Sequence, residues 1–264
     1  MSKGRANGKL KPLLEVLSSM VPAAVALSGG TDSSLLAAAA FRAHKGSVAI
    51  TVDDATLPRS ELADAKKVAR LIGIRHITIK IGARPKAFFA NDARRCYYCK
   101  KQTFGRIREA ATELGIKHVL DGTNADDIYD FRPGMRAARE EGVRFPLLEA
   151  GMGKSDVRKL AKSLSLPVWD KPASACLASR IQRGMPITKR KLSRIEAAEE
   201  FLKRKFGVRL VRVRDHGNLA RIQFSRSEMR RLREDGGLAA ASRRLKSLGY
   251  KFVCMDADGY VRGS

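Results

Sequence analysis

The sequence predicts an α/β protein in two parts, a parallel-sheet domain over residues 1–172 followed by a smaller α+β domain over residues 173–264. Three observations carry that expectation. Short β-rich runs alternate with amphipathic stretches through the first two thirds of the chain, the order that builds a parallel sheet covered on both faces. A loop of glycine and hydroxyl residues follows the first run, at the strand end where such sheets bind ligands. Beyond Pro172 the order changes to helix, two alternating strands, helix and strand, the pattern of a small mixed domain.

The elements follow in order. The first ten residues carry charge with no apolar run behind it, so they are expected to fray and form no signal peptide. "AAVALS", "SVAITVDD", "HITIKI" and "HVLDGTN" are the four strands, each ending in small or polar residues. "SELADAKKVARLIG" and "FGRIREAATELG" separate them with helical periodicity. "KSDVRKLAKSLS" sets Val157, Leu160, Ala161 and Leu164 on one helical face, with Ser155 as the expected N-cap, and "LPVWDKP" ends it. In the second domain "KRKLSRIEAAEEFLKRKFG" reads as a helix, and "VRLVRVR" and "LARIQF" as strands. "SEMRRLREDGGLAAASRRLKSLG" reads as one or two helices and "KFVCMDA" as the last strand. There is no internal repeat and no low-complexity linker.

No stretch approaches the roughly 20 apolar residues of a membrane helix, so a cytoplasmic protein without a membrane partner is expected. The chain holds 52 Lys and Arg against 27 Asp and Glu, a net charge of +25, which favours polyanionic partners or strongly anionic substrates. Nineteen of those basic residues, against seven acidic ones, lie between Ile181 and Tyr250. A solvated basic surface accounts for this, and so does an anion site. Aromatics are 6% and do not interleave with the basic residues, so a compact anion suits the region better than stacked single-stranded bases.

"VALSGGTDSSLLAAAA" runs from an apolar strand through Ser28, Gly29 and Gly30 into a helix expected to start at Thr31 or Asp32. Backbone N–H groups then converge at a positive helix end, where an anion is favoured. The hydroxyls of Ser28, Ser33 and Ser34 can donate to phosphate oxygens. An ordinary βα turn explains a bare S-G-G. The full S-G-G-x-D-S-S string resembles the pyrophosphate loop of the PP-loop ATP pyrophosphatases, which cleave ATP between its α and β phosphates. The resemblance explains the absent lysine of the common nucleotide loop, because this loop holds a leaving pyrophosphate. It implies that Ser28, Gly29, Gly30, Asp32, Ser33 and Ser34 bind ATP phosphates with Mg²⁺ nearby, and that Asp32 takes part in catalysis. It also implies that Asp53 and Gly122, at the ends of the second and fourth strands, lie at the nucleotide, and that Lys154 and Lys171 neutralise phosphate charge. Turn chemistry alone accounts for "TVDD" and "DGTNADD", and surface lysines are commonly just solvated.

Four cysteines remain. Cys96 and Cys99 form a C-x-x-C flanked by Arg94, Arg95, Lys100 and Lys101, which favour thiolate; metal ligation, redox pairing and two bystander thiols all fit that spacing. Cys176 sits in "KPASACLASR". Cys254, between Val253 and Met255, is expected to pack in the core.

"RCYYCKKQTF", "DGTNADDIYDFRPGMRAARE", "LPVWDKPASACLASRI" and "VRVRDHGNLARI" together resemble the LarE-type sulfur transferases of the PP-loop group, over nearly the whole chain. The resemblance implies adenylation of a carboxylate of pyridinium-3,5-biscarboxylate mononucleotide and its conversion to a thiocarboxylate for a nickel-pincer cofactor. One kind of LarE sacrifices the sulfur of the cysteine matching Cys176; the other holds a [4Fe-4S] cluster on three cysteines, here Cys96, Cys99 and Cys176. The three thiols point to the second kind. Arg180 follows Cys176, and Arg212 and Arg214 alternate with valines so that both guanidinium groups share one face, either as a substrate-phosphate clamp or as an exposed charged face. The expected partner is a small nucleotide substrate, bound by a homo-oligomer. The excess charge keeps a cluster-dependent tRNA thiolation enzyme as the alternative, and a non-catalytic nucleotide- or cluster-binding protein is the third reading.

Overall fold

The computed structural model describes residues 3–129, 133–230 and 236–261. The chain divides into two compact units, one of Met1–Pro85 and Arg94–Ala173, the other of Lys86–Ala93 and Ser174–Ser264. The segment Lys86–Ala93, which lies inside the first domain in sequence order, thus belongs to the second unit.

The first unit is built on strands β1 (Ala23–Ala26), β2 (Val48–Asp53), β3 (Arg75–Lys80) and β4 (His118–Leu120), all parallel in the order β3-β2-β1-β4. The chain steps outward from β1 to β3 and then returns to the other side of β1, so the connections leaving β1 and β4 diverge. That divergence opens a crevice at their carboxyl ends. The sheet is covered on both faces. On one, Leu13 and Leu17 of α1 (Lys3–Ser18), Leu35 and Leu36 of α2 (Thr31–Ala43), Ala65 of α3 (Arg59–Ile72) and Leu160 of a helix over Lys154–Ser163 pack with Val25. On the other, Phe104, Ile107 and Ala111 of α5 (Arg95–Glu113) pack with Ala24, Ile50 and Val119. A short helix, α4 (Lys86–Phe89), precedes α5 and belongs to the second unit. Burial on both sides explains why β1 and the first half of β2 are continuously apolar.

The helix over Lys154–Ser163 begins one residue before Ser155, so Ser155 is not its N-cap. Gly153 occupies the cap position without a side-chain bond. Asp126 takes over that work from a distant loop, its Oδ2 accepting from the Lys154 N–H at 2.7 Å.

The second unit packs a helix over Lys189–Phe206 and a helix over Gly237–Ser247 on a sheet of β5 (Val211–His216), β6 (Leu219–Phe224) and β7 (Phe252–Met255). β5 and β6 are antiparallel and β6 and β7 parallel. The strand expected over "VRLVRVR" begins at Val211, three residues later, and runs on to His216. The middle of "SEMRRLREDGGLAAASRRLKSLG", residues 231–235, lies outside the described residues. Val211, Val213, Ala220 and Ile222 point to the helices, as their alternation requires. The same alternation corrects the placement of Cys254: Val253 and Met255 face the core, and Cys254 is exposed between them.

One buried charge organises this unit. Asp215 is fully buried and accepts from Arg194 Nε at 2.7 Å, the Tyr250 hydroxyl at 3.0 Å and the Gly217 N–H at 3.0 Å. Asp215→Ala leaves the buried Arg194 guanidinium without its counter-charge and the buried Tyr250 phenol without its acceptor, so urea unfolding should show a loss of about 3–5 kcal/mol. Cys254→Ala should stay within about 0.5 kcal/mol of the parent, as befits a surface position.

Candidate functional site

In the first unit the site is built where β1 meets α2. Gly29 turns the chain with a φ of 77°, and a Cβ there would come within 2.3 Å of the Glu61 carbonyl oxygen on α3. Only glycine satisfies both the left-handed backbone and that approach. Gly30 caps α2 with extended backbone and no side-chain bond, which leaves the first-turn N–H groups without an intrahelical acceptor. The loop after β4 closes on the same turn, for a Cβ on Gly122 would lie 2.7 Å from the Ser33 nitrogen. Two loops from the diverging strands therefore meet at one helix N-terminus.

The hydroxyls divide their work. Ser28 is exposed, and its N–H donates to Ser33 Oγ at 3.1 Å while the two hydroxyl oxygens lie 3.0 Å apart. Ser34 is fully buried and donates back to the Gly30 carbonyl at 2.7 Å, so it shapes the loop. Thr31 Oγ1 donates to the Val168 carbonyl at 2.6 Å, tying α2 to the "LPVWDKP" segment.

Asp32 is the most perturbed group here. Its Oδ2 is ion-paired with Lys154 Nζ, while its Oδ1 is sealed from solvent with no hydrogen-bond partner. Burial raises its pKa above the ordinary 3.8, the Lys154 ammonium offsets part of that, the carboxylate of Asp127 raises it again, and the nearby Asn124 side chain lowers it by the smallest of these effects. A carboxylate that remains uncomfortable beside a lysine is short of positive charge. Lys171 Nζ donates to the Gly29 carbonyl at 3.1 Å and to Glu61 and Asp64 at 2.8 and 2.5 Å. It thus clamps the loop to α3, with its charge engaged by two carboxylates. Asp53, at the end of β2, pairs with Arg59.

Cys96 and Cys99 stand one turn apart at the start of α5, both half-buried, with Arg95 Nη2 at 3.6 Å from Cys96 Sγ. No group of three or more His, Cys, Asp or Glu side chains arranged to hold a metal ion occurs among the described residues.

In the second unit Cys176 precedes a short turn over Leu177–Arg180. Arg180, 1% exposed, is the fulcrum of that turn. Its Nε donates to Glu199 at 3.0 Å and its Nη1 to the carbonyls of Ala175 and Cys176 at 2.7 and 3.1 Å. Arg214 donates to the Ser179 carbonyl at 3.0 Å and to Gln223 Oε1 at 2.8 Å. Arg212 is 5% exposed and lies over the Tyr260 ring, so these two arginines do not form an exposed charged face. Desolvation pushes Arg212 down to about 10 and lowers Arg214 as well, and the Arg180 charge adds to both shifts. Three guanidinium groups held together in this way favour an anion among them.

Sequence reasoning did not single out Asp127, Glu61, Asp64, Glu199 or Gln223. Asp127 stands inside a motif already notable for its turn residues. The others carry no local signal, being ordinary polar positions on helices and a strand whose partners are distant in sequence.

The glycine-hydroxyl loop, the parallel sheet and the crevice at β1 and β4 define a PP-loop nucleotide-binding unit. The family described as asparagine synthase matches residues 15–216. An uncharacterized protein of Synechocystis sp. is 39% identical over 260 residues, 97% of this chain and 96% of its own. The pyridinium-3,5-bisthiocarboxylic acid mononucleotide synthase of Lactiplantibacillus plantarum is 31% identical over 262 residues, 97% of this chain and 92% of its own. Among solved structures, NMN synthetase from Francisella tularensis shares the fold with a TM-score of 0.53 at 22% identity, covering 64% of this chain and 75% of its own. The chain belongs to the PP-loop proteins of the asparagine synthase family and, within them, to the LarE type represented by the Lactiplantibacillus enzyme. No helix among the described residues is long and apolar enough to cross a membrane.

The pKa of Asp32 has a consequence for stability. A carboxyl raised in the folded state binds a proton that the unfolded chain has released, so the protein loses stability as pH rises from 3.8 through the raised value. Asp32→Asn should therefore unfold at higher urea than the parent at pH 7, and the difference should vanish below pH 3.8. Urea titrations at the two pH values check this.

Proposed function

We propose that this chain is a cytoplasmic, ATP-dependent sulfur transferase that adenylates a carboxylate of pyridinium-3,5-biscarboxylate mononucleotide and converts it to a thiocarboxylate. The observation that carries the reading is the buried, unpartnered Oδ1 of Asp32 at the N-terminus of α2, beside Lys154 and Asp127 and beneath the S-G-G loop.

In this reading Ser28, Gly29, Gly30 and Ser33 receive the β and γ phosphates on backbone N–H groups and hydroxyls, with Ser34 holding the loop in shape. Asp32 and Asp127 suit Mg²⁺, which accepts one or two carboxylates together with substrate phosphates. Such an ion would spread the pyrophosphate charge as it departs. Lys154 stands ready to turn from Asp32 to a phosphate oxygen. Lys171 keeps Gly29 in register through its carbonyl. Asp53 marks the strand end at which the adenosine binds, and Gly122 lets the fourth-strand loop close over the nucleotide. The substrate carboxylate attacks the α phosphorus, pyrophosphate leaves, and the acyl adenylate forms. Hydrosulfide then displaces AMP to give the thiocarboxylate.

Arg212 and Arg214 hold the substrate phosphate, while Arg180 fixes the turn that presents Cys176. In this reading Cys96, Cys99 and Cys176 would be the ligands of a [4Fe-4S] cluster, thiols not gathered into a metal-ready group among the described residues, and three thiolates would leave one iron open. When bound, that cluster would supply a place for inorganic sulfide, which leaves Cys176 intact.

Anaerobic protein given ATP, sulfide and either the pyridinium mononucleotide or bulk tRNA should release AMP and pyrophosphate and yield a sulfur-containing product with the mononucleotide alone. ADP and phosphate as products would remove the PP-loop reading, and thiolated tRNA would replace the substrate. Arg212→Ala should weaken the apparent affinity for the mononucleotide by about 1.5–3 kcal/mol, the worth of a charge-assisted hydrogen bond, in substrate titrations. Protein isolated without oxygen should hold about four irons and lose them in Cys96→Ala and Cys99→Ala but not in Cys254→Ala. Mass spectrometry of the Cys176 peptide after several turnovers should find the thiol intact, whereas conversion to dehydroalanine would make Cys176 the sulfur donor.

A further inference from the structure

The loop that ends β2 and the helix turn that carries Cys96 and Cys99 are joined by one side chain outside the proposed machinery. Arg84 is 8% exposed and divides its guanidinium between them. One edge faces Asp54, with Nε donating to Oδ2 at 2.9 Å and Nη2 ion-paired to the same oxygen. On the other side Nη1 donates to the Cys99 carbonyl and to Thr103 Oγ1, both at 3.0 Å, and lies 3.4 Å from Gln102 Oε1.

Each end of this strut is itself organised. Asp54 Oδ1 accepts from the Thr56 N–H at 2.9 Å and the Thr56 hydroxyl at 2.7 Å, which sets the turn after β2. Arg59, the partner of Asp53, also donates to the carbonyls of Asp54 and Leu57 at 2.7 and 2.8 Å. Residues 53–57 are therefore stitched by two arginines. A ligand that engages Asp53 draws on Arg59, and Arg59 holds the carbonyl of the residue that Arg84 grips. At the far end the Cys99 carbonyl lies within the first turns of α5, so a shift of the guanidinium plane moves the backbone that bears the thiols. A planar, delocalised fork transmits orientation in a way that a lysine point charge cannot. The buried Asp54 side chain makes slack expensive, because a buried carboxylate that loses its partner is left uncompensated.

We propose that Arg84 is a positioning residue that couples nucleotide binding at the carboxyl end of β2 to the thiol-bearing turn of α5. This rests on the proposed ATP site and adds a link that the reaction itself does not require. The link orders the two events: the thiol turn takes its working arrangement only when nucleotide is in place. Coupling of this kind is reciprocal, so the state of the thiols must in turn alter nucleotide affinity.

The test uses the full-length chain, reduced and without added iron. Alkylation of Cys96 and Cys99 by iodoacetamide is followed by peptide mass spectrometry with and without ATP and Mg²⁺, and nucleotide affinity is measured by calorimetry. In the parent, ATP should slow alkylation at least about fivefold, the lower end of ordinary coupling between sites, and prior alkylation should weaken ATP binding measurably. Arg84→Lys should still bind ATP while the ratio of alkylation rates falls to about one. Thr103→Val, nearly isosteric and leaving the Asp54 pair whole, should cut the ratio to less than half and covers the case in which Arg84→Lys does not fold. A purely structural Arg84 would lower the melting temperature and leave the ratio unchanged, which overturns the proposal. ATP binding to the parent without any thiol response overturns it also, while the ATP reading survives. Failure of the parent to bind ATP removes both.

Discussion

The close approach of two loops to the N-terminus of α2 is the constraint on which the rest of the first unit depends. Gly29 lets the loop after β1 touch α3, and Gly122 lets the loop after β4 touch the first turn of α2. A side chain at either place would push apart the backbone N–H groups that make the helix end electropositive. The sheet order β3-β2-β1-β4 explains why those two loops are neighbours at all. Lys171 and Thr31 then fasten the assembly to α3 and to the segment near Val168.

Both candidate sites hold charge in arrangements that are unfavourable without a ligand. In the first unit a carboxylate is buried beside another carboxylate, and a single lysine does not fully compensate it. In the second, three arginines crowd one another, with Glu199 bound directly to Arg180. The two imbalances have opposite signs and call for opposite ligands, a cation with its phosphates in one case and an anion in the other. Strain of this kind persists where function requires it, because hydrogen bonds around each group over-determine its position. The grip of Arg180 and Arg214 on the turn after Cys176 also shows that these arginines have structural duties, so their charge cannot be read as surplus.

Much of this was legible along the chain. Alternating β-rich and amphipathic segments foretold the parallel sheet, and the S-G-G-x-D-S-S string announced the loop because each residue type in it answers a local need: backbone freedom, a hydroxyl, a helix start. Period-two alternation marked Val211 and Val213 as inward, and the same rule applied one strand further on would have turned Cys254 outward. Ser155 is a good local candidate for a cap because it is a serine near a helix start, whereas the helix begins one residue earlier and its first N–H, that of Lys154, is taken by Asp126, twenty-eight residues away.

The sequence by itself determined which segments form strands and helices, where the glycine loop lies and which residue types can meet phosphate, since backbone preference and hydrophobic period are local properties. Only the tertiary structure decided that Asp32 lacks a partner for one oxygen, that Ser34 turns back to its own loop, that Lys171 is shared by Glu61 and Asp64, and that Arg212 is buried. Those outcomes depend on which distant groups arrive at a given point and how much water they exclude. Neither distance nor desolvation is written in the order of residues along a chain.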